Sequence, residues 1–449
     1  MRGPRRAEPR IVRPAGTRTA GTKTTSTTTS GKAMSADLTT LEQAVSSVVE
    51  RELGVPLGDV GMVRGVDVRR HRAGVLLAVP FDNWPGIEDL RARVSDAAAK
   101  VAGIRDVSVE ITVMRDAERE ALRLRLRRSM AGADSLGADE HVIGAAGEDG
   151  ANGAAGEDGA NGGHGANGGH GHAHGQGHGH ADPVPAFLQP GSKTRVIGIS
   201  SGKGGVGKSS VTVNLGVALA SSGLRVGILD ADVYGFSVPK MLGVDHDPVV
   251  LGDTVVPASA HGLRVLSMGF FVPDDTPVIW RGPMLHKAIE QFLGDAYWGE
   301  PDVLLVDMPP GTGDVTLSLA QFMARAEILV VTTPQPAAQR VAQRSAYAAR
   351  KLKLSVRGVI ENMSWFTGDD GTRYELFGRG GGELLAEDLG VPLLGQVPLV
   401  PALRAGGDDG VPVAVADPGG EAAAAFDALA ARISALGPAR VYRRELTVR

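Results

Sequence analysis

The sequence predicts an α/β protein, a doubly wound and mostly parallel sheet preceded by a small α+β domain. Three observations carry the prediction. Beyond Pro185, apolar runs of strand length alternate with helix-length segments as far as residue 436. The first of those runs, Val196-Ile197-Gly198-Ile199, leads into Gly202-Lys203-Gly204-Gly205-Val206-Gly207-Lys208-Ser209, a phosphate-binding loop. Ahead of it, residues 37–113 carry a shorter set of elements with their own hydrophobic periods. A chain of 449 residues exceeds one ordinary core, so two folded units with connectors are expected.

Residues 1–35 are rich in Arg, Thr, Gly and Pro, bury too little apolar surface to offset chain entropy, and are expected to form a disordered tail. Met34 opens MSADLTTLEQAV, an N-cap and helix start, and is expected to be the initiator. The small domain, 36–115, reads as a helix over Leu38 to Leu53, strands at Met62 to Val68 and Gly74 to Val79, a helix from Ile87 to Val101 and a strand at Val107 to Val113. A linker is expected over 116–190. Its first part, with arginines 123, 125, 127 and 128, reads as a solvated helix because acidic residues precede it and no aromatics interleave.

Low complexity follows. Residues 145–153 (AAGEDGANG) repeat at 154–162, and the tract continues as glycine with His164, His170, His172, His174, His178 and His180. Such sequence is a flexible tether. Its six imidazoles are a candidate loose site for Zn²⁺, Ni²⁺, Cu²⁺ or Fe²⁺; the other reading is repeat slippage in the gene with no selected role. Over 191–440 the expected strands lie near 195–200, 225–230, 263–267, 302–307, 327–332, 356–361 and 393–397. Helices lie near 209–222, 283–294, 314–325, 336–352, 380–389 and 420–436.

Composition excludes several classes. A net charge of −4 and a pI near 6.3 give no global basic field, so nucleic acid is not expected as the main partner. There is no run of 18 apolar residues, and the N-terminal arginines lead into Thr and Ser instead of an apolar stretch, so neither a membrane span nor a secretory leader is expected. The absence of cysteine agrees with the expected cytoplasmic location and also removes the usual ligands of iron–sulfur chemistry.

The phosphate loop sets the chemistry. Its backbone N–H groups and the positive end of the following helix suit an anion, and glycines 204, 205 and 207 keep side chains out of the way. Lys208 is placed at the β- and γ-phosphates of ATP, with the Ser209 hydroxyl on Mg²⁺. A second strand ends in Asp230-Ala231-Asp232, and two carboxylates beside a phosphate site are costly unless they face Mg²⁺ or a water. The strand Val303-Leu304-Leu305-Val306 ends in Asp307, the Walker B position, expected to reach Mg²⁺ through water. The loop Met308 to Asp314 (MPPGTGD) has glycines able to move with the γ-phosphate, as a switch requires. No guanine-reading Asn-Lys-x-Asp motif is present, so ATP is expected over GTP.

The stretch GKGGVGKSS, with its extra Lys203, resembles the deviant Walker A ATPases: the nitrogenase iron protein, the septum-site and plasmid-partition ATPases, and the Mrp/ApbC iron–sulfur carriers. Trp280-Arg281-Gly282-Pro283-Met284, MPPGTGD, FGRGGG and LLGQVPL narrow the match to Mrp/ApbC, and ERELGVPLGDVGMVRGVDV resembles the MIP18-like domain that precedes many of these ATPases. The resemblance implies a homodimer with ATP held between subunits and Lys203 reaching the partner's nucleotide. It implies that Asp232, supported by Asp230, orients the attacking water, and that Asn362 in ENMS reads the adenine edge. It also implies an iron–sulfur cluster as cargo, with a scaffold and apoprotein clients as partners.

Two departures stand out. The family's Asp-Pro and Cys-Pro positions read Glu50-Arg51 and Trp84-Pro85, so no thiol role is expected of the small domain. Where cluster-holding members carry Cys-x-x-Cys after ENMS, this chain reads Trp365-Phe366-Thr367-Gly368-Asp369-Asp370-Gly371. A septum-site or partition ATPase shares the loop, but the tail Val441 to Leu446 is too short and too mixed for its membrane helix. A metallochaperone NTPase suits the His tract better, although such proteins use an ordinary Walker A loop.

Overall fold

The computed structural model describes residues 30–131, 187, 189, 191–233, 235–272, 282–311, 313–323 and 325–437. The expectations for residues 1–29, the repeat and all six tract histidines, Trp280-Arg281, Thr312 and the Val441 to Leu446 tail lie outside them.

The first unit is built from α1 (Ser30–Ser46), the two-residue strands β1 (Val49–Glu50) and β2 (Val55–Pro56), α2 (Leu57–Val60), β3 (Val63–Arg69), β4 (Arg72–Val79), α3 (Ile87–Ala99), β5 (Asp106–Val113) and α4 (Asp116–Ala131). β4 is central in a three-stranded sheet, antiparallel to β3 and parallel to β5. Leu41 and Val45 of α1, and Leu90, Val94 and Ala98 of α3, lie four apart along their helices and fill one core with Leu57, Met62 and Leu77.

Three expectations are corrected here. The tail does not run to residue 35, because α1 opens at Ser30, upstream of Met34, where Lys32, Ala33 and Met34 are good helix formers. The helix expected to reach Leu53 stops at Ser46: the β-branched Val48-Val49 pair turns the chain into β1, and Gly54 is left-handed at φ 66°. α4 is not solvated. Leu122, Leu126 and Met130, again four apart, are buried in the small-domain core, each stabilising by about 1.5–3 kcal/mol relative to exposure.

The second unit follows in the order β6 (Arg195–Ser201), α5 (Lys208–Ser221), β7 (Val226–Asp230), α6 (Val238–Met241), β8 (Val249–Leu251), β9 (Thr254–Val256), β10 (Ala258–Ala260) and β11 (Leu263–Ser267), then a 3₁₀ turn (Met268–Phe271). It continues as α7 (Gly282–Gly294), β12 (Val303–Asp307), α8 (Asp314–Phe322), β13 (Glu327–Thr332), α9 (Pro336–Lys351) and β14 (Ser355–Asn362). It closes with β15 (Phe366–Thr367), β16 (Arg373–Tyr374), α10 (Gly381–Leu389), β17 (Leu393–Val397), α11 (Pro401–Asp409), α12 (Val413–Ala416) and α13 (Glu421–Ala435).

Its eight-stranded sheet runs β10-β11-β7-β12-β6-β13-β14-β17, parallel throughout except for β10. Every residue of β6, β7 and β12 is buried, which is why these strands are rich in Val, Ile and Leu on both faces. Separate apolar clusters cover the two faces. β6 lies between β12 and β13, where the chain reverses its direction of travel across the sheet, and the crevice beyond its carboxyl end is where such folds bind ligands.

Candidate functional site

The phosphate loop leaves β6 at Ser201 and enters α5 at Lys208. Its glycines are dictated by close approach at two places. A Cβ on Gly202 would stand 2.2 Å from the Ala342 nitrogen of α9, and Gly207, at φ 80°, would drive a Cβ to 2.2 Å from Asn362 Nδ2. Gly204 and Gly205 face open space. A cavity of about 640 Å³ opens there, lined among others by Lys203, Lys208, Ser209, Asp232, Leu285 and Pro309.

The expected site residues converge. Lys208 Nζ lies 2.8 Å from Asp307 Oδ1 and 3.4 Å from Asp232 Oδ2. Ser209 Oγ donates to Asp307 Oδ2 at 2.6 Å. Asp307 and Asp230 are the last residues of adjacent strands, paired in register, so the sheet itself sets the carboxylates side by side. Asp230 accepts from the Asp232, Ser237 and Val238 backbone N–H groups and from Ser267 Oγ, at 3.0–3.3 Å. It thereby pins the loop that carries Asp232. Burial, and then the negative charge of Asp307, push Asp230 up to about 7.

Two carboxylates, Asp232 and Asp307, thus share one ammonium in a cavity whose donors at Ser209 and Asp307 are all oxygen. That donor set fits Mg²⁺, which takes one or two protein oxygens and fills its shell with water and phosphate. Ser209 and Asp307 are the residues that would hold it. The switch loop is tied to the same strand ends: Met308 N donates to Ile199 O and Gly311 N to Ser201 O.

Two more of the expected residues make contacts within the chain. Lys203 lines the cavity with its ammonium 3.4 Å from Gln335 Oε1 of the same chain. Asn362, 1% exposed, does not line it; its amide donates to Val206 O at 2.8 Å from beneath, and its Oδ1 has no partner. In this arrangement Asn362 braces the loop. Thr212 escaped the sequence reading. Fully buried one turn beyond Lys208, it directs Oγ1 at Asp307 Oδ1, 2.9 Å away, and at Lys208 O, 3.0 Å away. A hydroxyl between two valines, Val211 and Val213, was the available signal.

The region where cluster-holding relatives carry paired cysteines is a hairpin, β15 with β16, closed by polar contacts. Glu421 accepts from Trp365 Nε1, Thr367 Oγ1 and Arg373 Nη2, and the Arg373 guanidinium lies 4.5 Å above the Trp365 ring. Among the described residues no group of three or more His, Cys, Asp or Glu is placed to hold a metal ion. In the small domain the departures are likewise filled. Trp84 Nε1 donates to Glu50 Oε1 at 3.1 Å, both side chains buried. A second cleft, about 780 Å³, lies at the opposite ends of the strands, but the Arg264 guanidinium lining it is spent on the Tyr297 and Leu53 carbonyls.

No helix among the described residues is long and apolar enough to cross a membrane. Residues 192–434 match the family described as NUBPL iron-transfer P-loop NTPase, and residues 38–111 match the iron–sulfur cluster assembly protein family. The iron–sulfur cluster carrier protein of Mycobacterium leprae is 41% identical over 84% of this chain and 88% of its own length. The protein of that name from Synechocystis is 48% identical over 54% of this chain and 71% of its own. A solved nucleotide-binding protein from Archaeoglobus fulgidus, in complex with ADP, is 33% identical over 52% of this chain and 93% of its own, at a TM-score of 0.45. With a family match running through every residue of the site from Gly202 to Asn362, the chain belongs to the iron-transfer P-loop NTPase family.

Proposed function

We propose that this protein is an ATP-hydrolysing, dimeric switch of the iron–sulfur cluster carrier type, and that thiolates supplied by another protein ligate the cluster it handles. The observation that carries the ATPase part is the Lys208–Asp307–Ser209 constellation beneath an open phosphate loop. Lys208 exchanges its two carboxylates for the β- and γ-phosphates, and the loop N–H groups take the remaining phosphate oxygens. Mg²⁺, when bound, neutralises developing charge on those phosphates. Asp232 orients the attacking water from the cavity wall, and Lys203 of one subunit completes the site of the other. Relatives over most of the chain's length are named iron–sulfur cluster carrier proteins, which supports the cargo.

The missing cysteines shape the rest of the proposal. A cluster bridged by this chain alone has no thiolate to bind, and the hairpin at the expected place is tied shut through Glu421. The partner is therefore a cysteine-bearing scaffold or client, and cytoplasmic apoproteins are the receivers. The test is anaerobic incubation of the full chain with iron and sulfide, alone and beside a cysteine-bearing scaffold, with and without ATP, reading acid-labile sulfide in the isolated chain and in the chain–scaffold complex. Iron bound adventitiously carries no sulfide, so acid-labile sulfide counts clusters. Sulfide transferred to the chain–scaffold complex only in the presence of ATP supports the proposal; sulfide retained by the isolated chain refutes the borrowed-ligand part, and no ATP effect refutes the switch.

A further inference from the structure

Helix α7 touches both functional units. At its start, Leu285 lines the nucleotide cavity beside Pro309, Gly313 and Val315, the last of these on α8. One residue on, His286 Nδ1 lies 3.0 Å from Ser318 Oγ and its ring stacks on Phe322 at 4.4 Å, coupling α7 to the helix that opens directly from the switch loop. The apolar face of α7, Leu285, Ile289, Phe292 and Leu293, is packed in the sheet core, so the helix, about 20 Å long at 1.5 Å per residue, moves as one piece.

Its far end is bound to the small domain's dock. The Asp295 N–H donates to Gln291 O at 2.7 Å, carrying helical bonding past Gly294. Asp295 and Tyr297 then exchange backbone hydrogen bonds with Val255 of β9, at 3.0 and 2.7 Å. From there the contacts are all between units. Arg127 of α4 pairs with Asp295 at 3.4 Å and Asp253 at 3.2 Å, and Arg123 pairs with Asp253 at 2.7 Å. Leu251, Val256 and Tyr297 are buried in the small-domain core, and Arg264 links the Tyr297 and Leu53 carbonyls. Glu52 accepts from Ser259 N and Oγ at 3.0 and 2.9 Å.

We propose that α7 is a relay through which the nucleotide state sets how tightly the small domain docks, making that domain a nucleotide-gated module and not a passive appendage. The proposal rests on the ATP-switch reading above. A γ-phosphate beside Pro309, Gly313 and Val315 shifts α8; the His286 contacts carry the shift to α7; and the backbone pairing at Asp295 to Tyr297 delivers it to the β8–β9 hairpin and α4. A shift of a fraction of an ångström suffices, because salt bridges such as Arg127 with Asp295 lose strength steeply with geometry.

The experiment is hydrogen exchange on the full chain with ADP and with a non-hydrolysable ATP analogue. α5 reports bound nucleotide and α4 reports docking. The expected result is protection of α5 by both nucleotides and a several-fold difference in α4 exchange between them. His286→Ala, which leaves the phosphate loop intact, should abolish the α4 difference while α5 stays protected, and Arg127→Ala should speed α4 exchange in both states. Identical α4 exchange under a protected α5 overturns the relay, and a difference that survives in His286→Ala overturns this route. An α5 that neither nucleotide protects brings down the nucleotide reading itself, and the relay with it.

Discussion

Lys208 Nζ stands 2.8 Å from Asp307 Oδ1 and 3.4 Å from Asp232 Oδ2, so one buried ammonium holds together the carboxylate that would meet Mg²⁺ and the one that would meet water. A site of this kind is organised before nucleotide arrives and must exchange partners when it does. Removing the ammonium leaves like charges facing each other and takes away the phosphate contact. Lys208→Ala should lower ATP affinity by at least about 100-fold, the scale of breaking a buried charge pair, read by equilibrium binding of a fluorescent nucleotide.

Lys203 is a different lysine in the same loop. Its ammonium is 3.4 Å from the Gln335 side-chain oxygen and holds no carboxylate of the catalytic cluster. If it serves the partner's nucleotide, Lys203→Ala should leave ATP affinity nearly unchanged and lower turnover by about 10³-fold, as for a cation supplied in trans. Mixing that variant with Lys208→Ala chains should restore part of the activity. Equal loss of binding in both variants would sink the cross-subunit assignment.

Asp232 borders the cavity, and among the described residues its carboxylate is paired with Lys208, the phosphate-loop lysine. Asp232→Ala should bind ATP and hold it unhydrolysed, with turnover down by about 10²–10⁴-fold, the range for a positioned proton acceptor. Rapid desalting followed by nucleotide analysis decides it: ATP recovered intact supports the role, and ADP recovered at the wild-type rate removes it.

Much of this was legible in the sequence because motif spacing encodes it. Lys208, Ser209 and Asp307 are brought together by a strand, a loop and a helix whose order the residues announce, and the parallel sheet follows from strands rich in Val, Ile and Leu. What was harder to read depended on tertiary partners. Leu122, Leu126 and Met130 show the helical period of a buried face, but the arginines between them dominate a charge-based reading. Only the fold reveals that Arg123 and Arg127 face Asp253 and Asp295, far along the chain. The β8–β9 hairpin has a Gly252-Asp253 turn between valine-rich strands of three residues each, a signal too short for periodicity to find. Asn362 was assigned from the family motif, and the structure spends its amide on Val206 O.

Thr212 Oγ1 has one proton and two acceptors, Asp307 Oδ1 and Lys208 O. When Lys208 turns to phosphate, Asp307 Oδ1 loses its ammonium and Thr212 becomes the donor left to fix that carboxylate. Thr212→Val keeps the shape and deletes the donor. The gain in nucleotide affinity on adding Mg²⁺ should fall by about 10–100-fold, the scale of one hydrogen bond to a charged group, with Mg²⁺-free binding unchanged. Thr212→Ser should restore it. Equal Mg²⁺ dependence in wild type and Thr212→Val would show that the contact is only packing.

Glu50 offers a prediction in the small domain. Burial raises its carboxyl above the ordinary 4.5, against the lowering hydrogen bonds from Leu53 N and Trp84 Nε1. Between the ordinary value and the raised one, the folded protein therefore keeps a proton that the unfolded chain has released. The stability this contributes is complete below pH 4.5 and is lost as pH rises through the folded value. Glu50→Gln is neutral at every pH and retains the acceptor for Trp84. In urea unfolding followed from acid to neutral pH, the stability difference between the two proteins should move in favour of the glutamine variant as pH rises. A difference that stays flat, or moves toward wild type, would mean that Glu50 is ionised in the folded protein and that its two hydrogen bonds outweigh burial.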